Sequence, residues 1–196
     1  NDDASGVAAV LEAARVLSRR RFPATIVYAV LSGEEQGLYG GQLLAETARA
    51  KGWKVEADLN NDIVGNPVGG DGQRDPHSVR VFSEGTKSNE TLDQAKYRRY
   101  HGGEVDSPSR NVGRYMASLA DQYLGGFRVR MVYRTDRYGR GGDQVEFLAQ
   151  GFPAVRVTES HEDYRHQHQD VRTEKSGTEG GVQYGDTLDH VDFDYL

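Results

Sequence analysis

The chain has 196 residues, with 24 lysines and arginines against 30 aspartates and glutamates and a formal net charge of −6. That length suffices for one full core and is near the usual size of a single domain, while the negative balance argues against the basic footprint of a nucleic-acid binder. There is no cysteine, which excludes a disulfide framework, a thiolate nucleophile and a sulfur-ligated metal, so any metal must be held by His, Asp and Glu.

In chain order, Val7, Val10, Leu11, Ala14 and Leu17 form an i, i+3, i+4 stripe. It predicts an amphipathic helix with Ser5 as its N-cap, entered directly from Asn1-Asp2-Asp3. A helix starting so early lacks a strand leading into it, and we expect a chain cut short there. Arg19-Arg20-Arg21 reads as a solvated helix end. Residues 25–31, Thr-Ile-Val-Tyr-Ala-Val-Leu, are a near-continuous apolar, β-branched run, which predicts a central strand covered on both faces. It ends in Ser32-Gly33-Glu34-Glu35-Gln36-Gly37, two carboxylates between glycines at the strand's C-terminal edge, where open α/β sheets bind ligands. The blander reading is that Glu34-Glu35 opens the first turn of the next helix. That helix is expected over 38–51, with Leu43, Leu44 and Ala48 inward and Gly52 at C′.

Residues 55–59 predict a strand ending in Asn60-Asn61-Asp62-Ile63-Val64-Gly65, again an acid just past an apolar stretch. Residues 66–77 read as an exposed loop, 79–82 as a short strand, and 97–100 take no assignment. A helix over 109–123, with Val112, Tyr115, Met116, Leu119 and Tyr123 on one side, and a strand over 127–133 continue the alternation. The Gly-rich, charged loop 135–143 lacks both glycine spacings that cradle phosphate. It opens a short helix over 144–149. A last strand is expected at 154–158, and 159–170 holds His161, His166 and His168, by themselves no more than a polar loop. Residues 191–196 look like an N-cap and a first helical turn. No run of 18 apolar residues offers a membrane span.

The order Asn1-Asp2-Asp3-x-Ser5-Gly6, Ser32-Gly33-Glu34-Glu35-x-Gly37, Asn61-Asp62-x-x-Gly65, a Gly-Gly-Asp143 loop and a late histidine resembles the co-catalytic di-zinc aminopeptidases. That family includes bacterial leucyl aminopeptidases, with glutamate carboxypeptidase, glutaminyl cyclase and the transferrin receptor as relatives, and the likeness covers nearly the whole chain. It implies an α/β fold, a mixed, mainly parallel central sheet flanked by helices on both faces. It also implies one catalytic domain over 1–196, lacking its N-terminal strands and C-terminal helix.

The same resemblance implies that Asp2 bridges two zinc ions beside a cis Asp2-Asp3 peptide bond, that Asp62 ligates the first zinc, and that Glu35 and a late histidine ligate the second. Glu34 is then the general base, acting on a metal-activated water to remove N-terminal residues from peptides. The late histidine is read as His168, because His168-Gln169-Asp170 fits a histidine followed by an acid; His166 is the second choice and His161 the third. Gln167 stands where the family commonly has tyrosine. The first zinc's histidine lies upstream of the Asn-Asp-Asp motif in the family and is absent here, so this piece is expected to hold at most one zinc tightly. Asp143 is read either as a residue that orients a ligand or as a helix N-cap. Two other functions share the fold: a one-zinc glutaminyl cyclase-like acyltransferase, and a non-catalytic binding domain, against which the joint presence of Asp2, Glu34, Glu35 and Asp62 argues. The expected partner is a peptide substrate, with neither nucleic acid nor membrane, and the resemblance implies a secreted or periplasmic location.

Overall fold

A computed structural model describes residues 2–168, 170–176 and 179–196. Asn1 and Gln169, which belong to the Asn-Asp-Asp and His-Gln-Asp segments, lie outside the described residues. Helices α1 (Ala4–Leu17) and α2 (Tyr39–Ala50) come first, then β1 (Asp58–Asn61), β2 (Ser78–Ser83), α3 (Leu92–His101), α4 (Pro108–Tyr123), β3 (Arg128–Val132), α5 (Gln144–Ala149) and β4 (Ala154–Glu159). Near the end, β5 (Arg172–Ser176) and β6 (Glu179–Tyr184) form an antiparallel pair. The first four strands make one sheet in the order β1-β4-β2-β3, mainly parallel. Neighbours β2 and β3 are joined through α3 and α4. Every residue of β4 is buried, as expected of an inner strand with both faces covered.

The chain divides into two compact units. One comprises Val30–Asn60 and Arg80–Val157. Its core gathers Ala45 of α2, Phe147 and Leu148 of α5, and Ala154 of β4, with Leu44, Val55 and Phe152 packed around them. The α5 bounds are those expected from the sequence, because Phe147 and Leu148 supply an inner face and Gly151, at φ 81°, supplies the left-handed exit. α4 begins at Ser107, whose hydroxyl accepts from Arg110 N at 3.1 Å, with Pro108 in the first turn. α3 covers the stretch left unassigned. It buries no residue, so no apolar stripe betrays it; it rests instead on a capping box, Gln94 N donating to Thr91 Oγ1 at 3.2 Å and Thr91 N to Gln94 Oε1 at 2.9 Å.

The other unit comprises Asn1–Ala29, Asn61–Val79 and Thr158–Leu196. Here Asp3, not Ser5, caps α1, its side chain accepting from Gly6 N; Ser5 is buried inside the first turn. At the far end, Asp192 caps a turn, receiving Asp194 N and Tyr195 N on Oδ1, each at 3.1 Å.

Two expectations about strands are corrected. Residues 25–31 belong to no strand, and Ile26, Val27 and Val30 are 42–57 % exposed. A β-branched run becomes a strand only where a neighbour takes its backbone groups, and no described residue pairs with this one. The strand expected over 55–59 forms instead at Asp58–Asn61, where Asp58 N finds the Pro153 carbonyl at 2.9 Å. The β5–β6 hairpin was not foreseen.

Candidate metal centre

Asp2 and Asp3 lead into α1 across a cis peptide bond. Asp3 Oδ1 accepts from Gly6 N at 3.2 Å within the helix and from Ile63 N at 2.9 Å. One carboxylate oxygen therefore ties the helix start to the turn that follows Asp62. Ser5 Oγ accepts Val64 N at 3.0 Å, a second tie. Gly6 has no room for a Cβ, which would overlap the Asn61 carbonyl oxygen, so the absence of a side chain lets the turn close on the helix. Ile63, at φ 61°, reverses the chain there. It is held because its carbonyl accepts from Glu159 N at 2.9 Å and from Thr158 Oγ1 at 3.0 Å. Glu159 Oε2 also accepts Asn66 N at 2.9 Å.

The result is a carboxylate cluster. Asp2, Asp3 and Asp62 each offer an oxygen, all within 4.8 Å of one another, and Asp62 is only 8 % exposed. Like charges this close penalise one another's ionisation. The Asp3 carboxyl, enclosed although the residue keeps an open side, is pushed up to about 8, by burial first and then by Asp62, with a smaller push from Asp2. His168 Nε2 stands 3.0 Å from Asp2 Oδ2, adding an imidazole to the carboxylates. Carboxylates with an imidazole suit a divalent ion such as zinc, and a cation there relieves the repulsion, so the donor set fits.

The other two histidines have different occupations. His166 donates from Nδ1 to the Gly185 carbonyl at 3.0 Å and stacks on His190, ring centroids 3.2 Å apart. His161 packs against Gly69.

In the other unit, Glu34 and Glu35 lie on a turn. Gly37 N and Leu38 N both donate to the Glu34 carbonyl, at 3.0 and 2.8 Å, and Tyr39 N and Gly40 N close it onto Gly33 and Ser32. Gly33 takes φ 73° there, which glycine allows without strain. Glu35 is exposed and Glu34 half-buried; neither opens a helix turn, since α2 starts only at Tyr39. Asp143 stands at the N-cap position of α5 without a side-chain cap bond. Its carboxylate instead abuts Gly41 of α2. It also faces Asp58, whose carboxyl is pushed up to about 7 by burial first and by Asp143 second. Neither Asp3 nor Asp58 is marked for a role by the sequence motifs. For Asp3 the signal was present in its place at a helix start; for Asp58 nothing local marked a buried partner 85 positions away.

Residues 1–180 match Peptidase family M28. The chain is 48% identical over 195 residues to a probable zinc metalloprotease of Leptosphaeria maculans, covering 100% of this chain and 44% of that protein. It is 48% identical over 198 residues to a probable zinc metalloprotease of Pyricularia oryzae, covering 100% of this chain and 39% of that protein. It thus spans less than half the length of these curated relatives. Among solved structures, the aminopeptidase from Aneurinibacillus sp. strain AM-1 superposes with a TM-score of 0.56 at 20% identity, covering 100% of this chain and 35% of that one. The Legionella pneumophila LapA aminopeptidase gives 0.54 at 22% identity, covering 82% and 36%. At such identities the two structures speak for the fold alone. The match over residues 1–180, together with these relatives, settles the family: the chain belongs to Peptidase family M28.

Proposed function

We propose that this chain carries the catalytic centre of a zinc-dependent exopeptidase that removes N-terminal residues from peptides. The observation that supports it most is His168 Nε2 at 3.0 Å from Asp2 Oδ2, beside the Asp2, Asp3 and Asp62 oxygens gathered within 4.8 Å. In this reading Asp2, Asp62, Glu35 and His168 would hold the zinc, Asp62 serving the first ion, Glu35 and His168 the second, and Asp2 both. Zinc, when bound, supplies Lewis acidity and makes water a nucleophile near neutral pH. Glu34 then takes the proton from the attacking water on its carboxylate and passes it to the leaving amine. Adjacent residues on a turn point different ways, so Glu35 can bind metal while Glu34 carries the proton. Asp143 orients its neighbours rather than touching the peptide.

Hydrolysis of aminoacyl p-nitroanilides, set against cyclisation of N-terminal glutamine peptides, tests the reading, with zinc content measured in parallel. Zinc-dependent release of p-nitroaniline supports it. Cyclisation without hydrolysis, or neither reaction in a zinc-loaded protein of the full natural length, overturns it.

A further inference from the structure

We propose that Gln144 is a positioning residue, the amide that locks the end of β1 from which Asp62 follows. The inference rests on the reading of Asp62 as a zinc ligand. Asp136, in the loop after β3, is buried, with its side chain 3 % exposed, and faces Arg156 of β4, whose side chain is wholly buried. Arg156 Nη1 donates to Asp136 Oδ1 at 2.8 Å, and Arg137 N donates to the same oxygen at 2.7 Å. The other oxygen, Oδ2, accepts Gln144 Nε2. Gln144, itself 0 % exposed, passes the connection on, since its Oε1 accepts Asn60 Nδ2 at 3.0 Å. An ion pair between β4 and the loop after β3 is thereby connected, through one amide, to the last residues of β1. Asp62 lies two residues beyond Asn60.

The chemistry explains why the middle residue is an amide. A carboxylate such as Asp136 only accepts, so the Gln144 nitrogen must face it and the oxygen is left to face Asn60. Glutamate at 144 would set a second carboxylate against Asp136. An apolar residue of similar volume would leave the Asp136 oxygen and the Asn60 amide without the partner each has here. Partners that orient metal ligands from behind typically change metal affinity by 10–100-fold when lost.

The test compares Gln144→Met, Asn60→Ala, the double variant and Asp62→Ala. Affinity for the first zinc is measured in the protein of full natural length by competition with a chromophoric chelator, and the fold is checked by circular dichroism and thermal melting. The expected result is that Asp62→Ala weakens zinc binding and that Asn60→Ala and Gln144→Met each weaken it by about 10-fold or more. The double variant is then no weaker than the worse single one, because the two residues act through one connection. Weakened binding in Asp62→Ala with unchanged affinity in a folded Asn60→Ala or Gln144→Met overturns the proposal while leaving the ligand reading intact. Unchanged affinity in Asp62→Ala overturns the ligand reading and this proposal with it. Should Gln144→Met fail to fold, Asn60→Ala, a change at the half-buried end, decides alone.

Discussion

His168 and His166 differ by two positions yet do different work. The first stands beside Asp2 at 3.0 Å, whereas the second spends its Nδ1 proton on the Gly185 carbonyl and its ring face on His190. His168→Ala is therefore expected to cost most of the affinity for the second zinc, and His166→Ala and His161→Ala little. Chelator competition measures this, and equal losses at His166 and His168 would reverse the assignment. Glu34→Gln is expected to lower kcat by at least about 10²–10⁴-fold with zinc content unchanged, since it removes a base and no ligand; Glu35→Ala should instead shed metal. Elemental analysis beside the rate measurement separates them, and metal loss in Glu34→Gln would show the two glutamates reversed. Asp58 makes a pH prediction. Its carboxyl rises from the ordinary 3.8 to about 7 in the folded protein, so between those values the folded state holds a proton that the unfolded state has released. Stability then falls as pH climbs from about 4 to about 7 and levels off above. Asp58→Asn should flatten this slope and raise the melting temperature at pH 8; thermal unfolding between pH 4 and 8 checks it.

Elements in this protein are held by two distinct means. α5 is held by what it buries: Leu148, 1 % exposed, sits among Ala45, Phe147 and Ala154. Leu148→Ala is expected to cost about 2–5 kcal/mol in urea unfolding, the removed methyls plus the cavity they leave. α3 buries nothing and depends on its capping box and on Arg98, which pairs with both Glu90 and Glu104. The same contrast explains which elements could be read in advance. The bounds of α5 follow from the Gly-rich loop before it and Gly151 after it. Those of α4 follow from an apolar stripe at helical spacing, although Tyr115 and Tyr123 of that stripe are exposed and α4 buries Ser109, Arg110, Gly113 and Ala120 instead. The stretch over 97–100 carries no such stripe, so its helix was invisible to periodicity even though Thr91 and Gln94 mark its start. Residues 25–31 show the opposite failure: strong strand chemistry, but no described neighbour to complete a strand.

For the molecule as a whole, that uncovered run has a consequence. Ile26, Val27 and Val30 are exposed in an uncharged, β-branched run, which is the pattern that recruits strands from other chains. Val27→Lys is expected to reduce concentration-dependent light scattering of the isolated chain without changing its far-UV spectrum; unchanged scattering would show that this segment does not drive association. Acids flanked by glycine just past apolar runs, a change of apolar period between strand-like and helical stretches, and the lack of cysteine were all legible along the chain, because each is a local pattern of residue types. They predict an alternation of strand and helix and a metal, if any, held by His, Asp and Glu; it was the resemblance to the di-zinc aminopeptidases that implied Asp2, Glu34, Glu35 and Asp62 as site residues. Which histidine meets Asp2, how Asp3 clasps Ile63 across 60 positions, and how Gln144 reaches Asn60 across 84 depend on where distant segments come to rest. Side chains brought together by packing leave no periodic trace in the residues between them, so those relations emerged only once the chain was folded.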